Sequence, residues 1–231
     1  MGLRYRFIAI EGIDGAGKRT QLELLARRLA RRRIPCARWS FPQYGSFFGR
    51  MVGQFLDGAF GALHEVDPHF SALLYAANRF EGRERLRQAL ASGRHVLADR
   101  YVGSNLAHQT ARVPRRRQAA FLRWLCELEY SVFDLPRESL VVYLRLPAAQ
   151  AQRLVARKAA RAYTRKRHDL QEANLRHLRE AAGIYDRLAR QRNWITVECV
   201  HQETGALRSP AEIHRALVQA IERREKRLLR R

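Results

Sequence analysis

Apolar residues in this chain fall into two patterns: short continuous runs, and stretches with helical spacing. The run Phe7-Ile8-Ala9-Ile10, opened by Arg6, predicts a strand over 6–10. Leu22, Leu25, Ala26, Leu29 and Ala30 then recur at i, i+3, i+4, i+7, which predicts an amphipathic helix. A second strand is predicted over 36–41, ended by Pro42. Phe70, Leu73, Leu74, Ala77 and Phe80 predict a long helix that starts near Pro68. A short buried strand is predicted over 95–98, with Asp99 at its carboxyl end. Ala119, Leu122, Leu125 and Cys126 mark a further helix, and 139–144 reads as a β-branched strand. Helices are predicted over 148–160 and 169–192, then a strand over 194–199, then a final helix opened by Pro210. Five strands alternating with helices predict an α/β fold, a parallel sheet covered on both faces. Ligands of such sheets bind beyond the carboxyl ends of the strands. No repeat or linker divides the chain, so a single domain over 1–231 is expected.

The first strand runs into Glu11-Gly12-Ile13-Asp14-Gly15-Ala16-Gly17-Lys18-Arg19-Thr20. Three glycines let the backbone curl tightly and aim successive N–H groups inward. Such a curl at a helix N-terminus is an anion site. Gly12, Gly17 and Lys18 fit G-x-x-x-x-G-K, which predicts a P-loop whose lysine reaches the β- and γ-phosphates. Gly12, Gly15, Ala16, Gly17, Lys18, Arg19 and Thr20 are therefore the expected ATP-binding residues. The hydroxyl that usually follows the lysine and holds Mg²⁺ is replaced by Arg19 and comes one residue late, at Thr20.

Charge narrows the partners. The 44 basic and 22 acidic side chains give a net charge of +22, which favours anions, whether nucleotides or nucleic acid. Arginine exceeds lysine and alanine is abundant, a skew that GC-rich codon usage also produces. Aromatic residues are sparse in the basic stretches, which disfavours a stacking platform for nucleic acid, although the basic tail over 221–231 leaves that partner open. The three cysteines, Cys36, Cys126 and Cys199, are scattered and form no C-x-x-C pair, so reduced thiols are expected. No apolar run approaches a membrane span, and the first residues resemble neither a signal peptide nor a myristoylation site. A cytoplasmic protein is the expectation.

Further motifs line up at the predicted strand ends. Phe41-Pro42-Gln43-Tyr44 closes the second strand. Asp99-Arg100-Tyr101 closes the third, followed by Ser104, Asn105 and Ala107-His108-Gln109. The long helix carries Tyr75 and Asn78-Arg79. Each is weak alone; the order and spacing together are specific. With the glycine loop and its Asp14, and with a basic run before Asp169 and Glu172, the chain resembles the thymidylate kinase family from the first strand to about residue 200.

The resemblance implies a P-loop α/β fold with a mobile basic lid, ATP and Mg²⁺, and phosphorylation of dTMP to dTDP. It implies that Tyr75 stacks on thymine, that Arg79 hydrogen-bonds the base, and that Asp14 lies near the sugar 3′-hydroxyl. Arg100 is implied at the acceptor phosphate, with Asp99 organising phosphates and water around Mg²⁺. Phe41, Tyr44, Ser104, Asn105, His108 and Gln109 complete the implied substrate pocket. A homodimer is implied as well. Tyr75 stands where phenylalanine is commoner, and His108 stands where a tyrosine is frequent.

Transfer between two phosphates gathers negative oxygens, so positioning and positive charge dominate the chemistry. Lys18, Arg100, Arg161 and Asp14 are the expected catalytic residues, and Asp14 and Asp99 the expected metal-side carboxylates. Some family members carry a catalytic arginine in the glycine loop, whereas here that slot is Gly15. The stretch 157–167 supplies six basic side chains without an acid and reads as a lid, with Arg161 at its centre. Asp169 and Glu172 are either metal-side groups or a helix cap. Two other readings remain open: another nucleoside monophosphate or deoxynucleoside kinase, or a nucleic-acid-binding P-loop protein.

Overall fold

A computed structural model describes residues 4–156 and 175–229. The predicted lid with Arg161, and the acids Asp169 and Glu172, lie outside the described residues. Five strands form one parallel sheet: β1 (Phe7–Glu11), β2 (Cys36–Ser40), β3 (His95–Asp99), β4 (Leu140–Arg145) and β5 (Trp194–Glu198), in the order β2-β3-β1-β4-β5. β1 is central and every residue of it is buried, which is why its apolar residues run continuously instead of alternating. Ile10 is paired with Asp99 on one side and with Val142 on the other, so the ends of β1 and β3 emerge together.

Among the described residues the helices are α1 (Lys18–Arg31), α2 (Phe47–Asp57), α3 (Pro68–Glu81), α4 (Arg83–Ala91), α5 (Val102–Thr110), α6 (Gln118–Glu127), α7 (Ala148–Ala156), α8 (Leu175–Leu188) and α9 (Pro210–Leu229). α1 buries Leu22, Leu25, Ala26 and Leu29 against the sheet, as its spacing predicts, while Ala30, the last member of the predicted stripe, is exposed. A second, smaller apolar cluster of Val52, Phe55, Leu56, Val66 and Leu74 joins α2 to α3. Tyr44 and Tyr75 lie on its margin.

Three helices go beyond the sequence expectation. α2 carries two glycines, Gly49 and Gly53, which lower its propensity, and Gly49 is required where α2 crosses Gln43: a Cβ there would sit 1.7 Å from the Gln43 carbonyl oxygen. α4 buries only Leu86, too little to show a stripe. α5 is buried almost all round and so shows no amphipathic period. The helix expected over 169–192 ends at Leu188, where Arg190 and Gln191 turn back to Arg187 and Leu188. The basic stretch read as a tail is, through Leu229, the end of α9, with Ile221 and Glu225 buried and Glu222 paired to Arg28. Among the described residues no helix is long and apolar enough to cross a membrane.

Candidate active site

The glycine loop leaves β1 and wraps the start of α1. Gly17 caps α1 in the left-handed region, and the first-turn amides of the helix have no carbonyl partner within it. Gly12 and Gly15 also have positive φ, and neither site has room for a side chain: a Cβ would lie 2.6 Å from the Leu144 carbonyl oxygen or 2.8 Å from that of Ala151. An arginine at position 15 is therefore excluded by the backbone of α7, not merely absent. Lys18 Nζ donates to the carbonyls of Gly12 (2.9 Å) and Ile13 (3.0 Å). Burial, with Arg100 nearby, pulls its pKa down to about 8 against the pull of Asp14, Asp99 and Glu11. Arg19 and Thr20 are exposed and face an open cleft shared with Lys18, Asp99 and Arg100.

Glu11, which the sequence reading did not assign, ties this loop to the rest of the site. It is fully buried and accepts from the Tyr101 amide (2.7 Å), Ser104 Oγ (2.6 Å) and Tyr185 Oη (2.9 Å). It thereby fixes the chain after Asp99, where Arg100 takes a positive φ of 65°. Arg100 pairs with Asp14 and donates to Ser104 Oγ at 3.1 Å. Burial opposes its charge, but Asp14, Tyr185, Asp99 and Glu11 together outweigh that and hold the guanidinium well above its usual pKa. Asp99 Oδ1 is buried and has no hydrogen-bond partner among the described residues.

A second, more closed pocket adjoins the cleft. Asp14, Phe41, Tyr44, Tyr75 and Arg79 line it, as do Arg100, Ser104, Asn105, His108 and Gln109. All ten predicted substrate residues thus share one pocket, with Pro42, Leu56 and Tyr101 added. Asp14, Phe41, Pro42, Tyr44 and Arg100 border both cavities, so the two meet at the Asp14–Arg100 pair. Asn78 holds the loop after β2, accepting from the Gln43 amide (2.9 Å) and donating to Ser46 Oγ (2.9 Å). The Phe41–Pro42 peptide in that loop is cis. Tyr75 is half-buried, its ring edge-on to Phe55.

At the closed end, Arg79 and Asn105 meet a second unassigned acid, Glu129. Arg79 Nε donates to Glu129 Oε2 at 2.9 Å, and Arg79 Nη2 to Glu129 Oε1. Burial works against the Arg79 charge, and Glu129 overcomes it, leaving the pKa raised. Asn105 Nδ2 donates to Glu129 Oε1 (2.7 Å) and to the Ala72 carbonyl (2.9 Å). Asn105 Oδ1 is buried with no partner among the described residues. His108 Nδ1 lies 3.2 Å from His177 Nε2, a contact that joins α5 to α8.

Comparisons with known proteins agree with this fold. A model of the thymidylate kinase family matches residues 10–209. A probable thymidylate kinase from Thermococcus gammatolerans is 30% identical over 87% of this chain and 94% of its own. The thymidylate kinase of Mycobacterium tuberculosis is 34% identical over 80% and 86%. A solved thymidylate kinase from Candida albicans superposes with a TM-score of 0.75 over 97% of this chain and 94% of its own, at 19% identity, and shares the fold. The chain belongs to the thymidylate kinase family, nucleoside monophosphate kinases that phosphorylate dTMP with ATP as the donor.

Proposed function

We propose that this chain transfers the γ-phosphoryl group of ATP to dTMP, giving dTDP and ADP, and that the ten pocket residues hold dTMP. The observation that carries the base assignment is the pairing of an acceptor with a donor at the closed end of the pocket. Asn105 Oδ1 is an acceptor with no partner among the described residues, and Arg79 is a donor only. Thymine and uracil present N3–H and a carbonyl oxygen along one edge, the complement of that pair. Cytosine presents a lone pair and an amine there, and both would clash. Tyr75 supplies the flat apolar surface for the ring.

At the other end, Arg100 faces the acceptor phosphate, while Lys18 and the loop amides hold the donor phosphates. An acceptor phosphate oxygen attacks the γ-phosphorus. The bond to the β–γ bridging oxygen breaks, and ADP leaves with the electron pair. Asp14 keeps Arg100 oriented beside the sugar. Since Gly15 has no room for an arginine, Arg161 from the basic run outside the described residues is the proposed third cation. The donor set fits Mg²⁺ carried on the phosphates rather than caged by protein. No cluster of three metal-ligating side chains occurs among the described residues, yet Asp99 lines the cleft and its Oδ1 has no hydrogen-bond partner among them. Asp99, with Asp14 secondary because Arg100 engages it, would hold the hydrated ion, which neutralises phosphate charge. A single cytoplasmic domain that pairs as a homodimer through α3 completes the proposal.

The test is a panel of dTMP, dUMP, dCMP and thymidine with ATP and Mg²⁺, with Arg161→Ala as the arm that reads the lid. Expected are dTMP best, dUMP weaker and dCMP lower in kcat/KM on the order of 10²-fold. Arg161→Ala should lower kcat more than it raises KM. Phosphorylation of thymidine in place of dTMP, or of dCMP as readily as dTMP, sinks the assignment.

A further inference from the structure

Phe121, Leu125 and Glu129 follow one another at i, i+4, i+8 and are all buried, so an acid stands where the apolar face of α6 should continue. The backbone at that point is a π-helical turn over Leu128–Val132, a feature that recurs at functional sites. A fully buried carboxylate adds little net stability even when paired, since desolvation offsets the attraction. Its use has to be sought in what it holds.

It holds two groups that face the base. Its oxygens take Arg79 Nε (2.9 Å) and Nη2, and Oε1 also takes Asn105 Nδ2 at 2.7 Å. An asparagine amide has two ends of nearly the same shape and opposite hydrogen-bonding character. Which end reaches the pocket is set by the partners of the other end. Here those partners are the Ala72 carbonyl and the Glu129 carboxylate, both acceptors only. Nδ2 is thus drawn away from the pocket, and Oδ1 is left for the ligand.

We propose that Glu129 is the positioning residue for base selection: one carboxylate fixes Arg79 as donor and Asn105 as acceptor, and so makes the pocket read the N3–H edge of thymine and uracil and reject cytosine. This rests on the assignment of that pocket to the base. Glu129 does not line the pocket and acts only through the two side chains that do.

Two variants test it. Glu129→Gln keeps the size and removes the charge. In either amide orientation its N–H group faces an Arg79 N–H, and at the Oε1 position it faces Asn105 Nδ2 as well, so Arg79 always loses part of its hold. Glu129→Asp keeps the charge, and with it the pairing that neutralises buried Arg79, but is a methylene too short to reach both partners. The readout is the ratio of kcat/KM for dTMP to that for dCMP, which is independent of the fraction of enzyme that folds. It is expected to fall about tenfold or more in each variant, chiefly through a higher KM for dTMP, because base contacts are equal in ground and transition states. In an Asn105→Ala background, Glu129→Gln should shift the ratio less than it does alone. A folded Glu129→Gln or Glu129→Asp enzyme with the native ratio, however unstable or slow, overturns the proposal and leaves Glu129 structural. A native enzyme that itself fails to prefer dTMP over dCMP overturns the pocket assignment, and this inference with it.

Discussion

Lys18 is an ammonium with little contact with water, turned back onto two carbonyls of its own loop. That geometry stores the charge at the site while no phosphate is present, at the cost of desolvation. Its pKa of about 8 follows, with burial the main cause. A polyphosphate beside it favours the charged form and raises the value again. The sign is then fixed: below pH 8 the free protein already holds the proton, and above pH 8 ATP binding must take one up. Affinity for ATP is expected to weaken as pH rises above about 8. Titration calorimetry at pH 8.5 in two buffers of different ionisation heat should show proton uptake by the native protein. Lys18→Arg, always charged, should show none. Absence of uptake in the native protein would contradict this account. Lys18→Ala is expected to lose on the order of 10²-fold in kcat, as for other preorganised electrostatic groups.

Between elements, the contact of α5 with α8 carries the clearest pH signature. His108 and His177 meet ring to ring, and Arg100 Nη1 lies 3.5 Å from His108 Nε2. Arginine only donates, so Nε2 faces it as an acceptor and Nδ1 carries the proton toward His177. Protonating His108 would set a second cation against Arg100. Burial, Arg100 and His177 hold its pKa well below the usual value, against Asp14 and with a small push from Lys18. Burial, then Arg112, lower that of His177 to about 4, against Asp14. Both rings are neutral in the folded protein and titrate near 6.5 when unfolded. Their contribution is therefore present above pH 6.5 and is lost as pH falls toward 4, by on the order of 3 kcal/mol for His177. Urea midpoints measured from pH 7 to pH 4 should show this loss, and His177→Gln should flatten it; an equal slope in the variant would refute the assignment. None of this was legible in the chain, and the reason is general to the site. Lys18 shows itself because glycine spacing is local. Arg100 and Tyr75 show themselves because they sit on strand ends and helix faces whose periods are local. Glu11, Glu129 and His177 act on partners 24 to 174 residues away. Glu11, a lone acid ending the apolar run Phe7–Glu11, leaves a faint trace in the sequence, while Glu129, two residues after Glu127, and His177 leave none. α5 escaped because burial on all sides erases its period, although the motif it carries had already been placed in the pocket.

At the scale of the whole molecule, the +22 charge says less about partners than the apolar surface does. Part of the basic excess is used internally, with Arg28 on Glu222, Arg145 on Asp186 and Glu198, and Arg224 donating to the Trp194 carbonyl. Among the described residues, five of the seven large exposed apolar side chains lie on or beside one helix, while Phe47 and Leu207 lie elsewhere. Phe70, Leu73 and Phe80 on α3 are 40%, 43% and 41% exposed and stand at i, i+3 and i+10, with buried Ala77 at i+7 between them. Phe60 extends the stripe at one end by its ring contact with Phe70, and Phe133 at the other by its contact with Phe80; Val132 beside Phe133 is 64% exposed. A contiguous patch of this kind marks an interaction surface. The same helix carries Tyr75 and Arg79 into the pocket proposed for the base, so a second copy packed on the stripe would brace that pocket from behind. The chain is expected to sediment at twice its 26.9 kDa mass at micromolar concentration. Leu73→Arg places a charge at the centre of the stripe and should shift the particle to the monomer mass while leaving the far-ultraviolet circular dichroism unchanged. Because α3 then loses its support, KM for dTMP should rise more than kcat falls. A native protein that sediments as a monomer, or a Leu73→Arg variant that stays dimeric, would move the interface off α3.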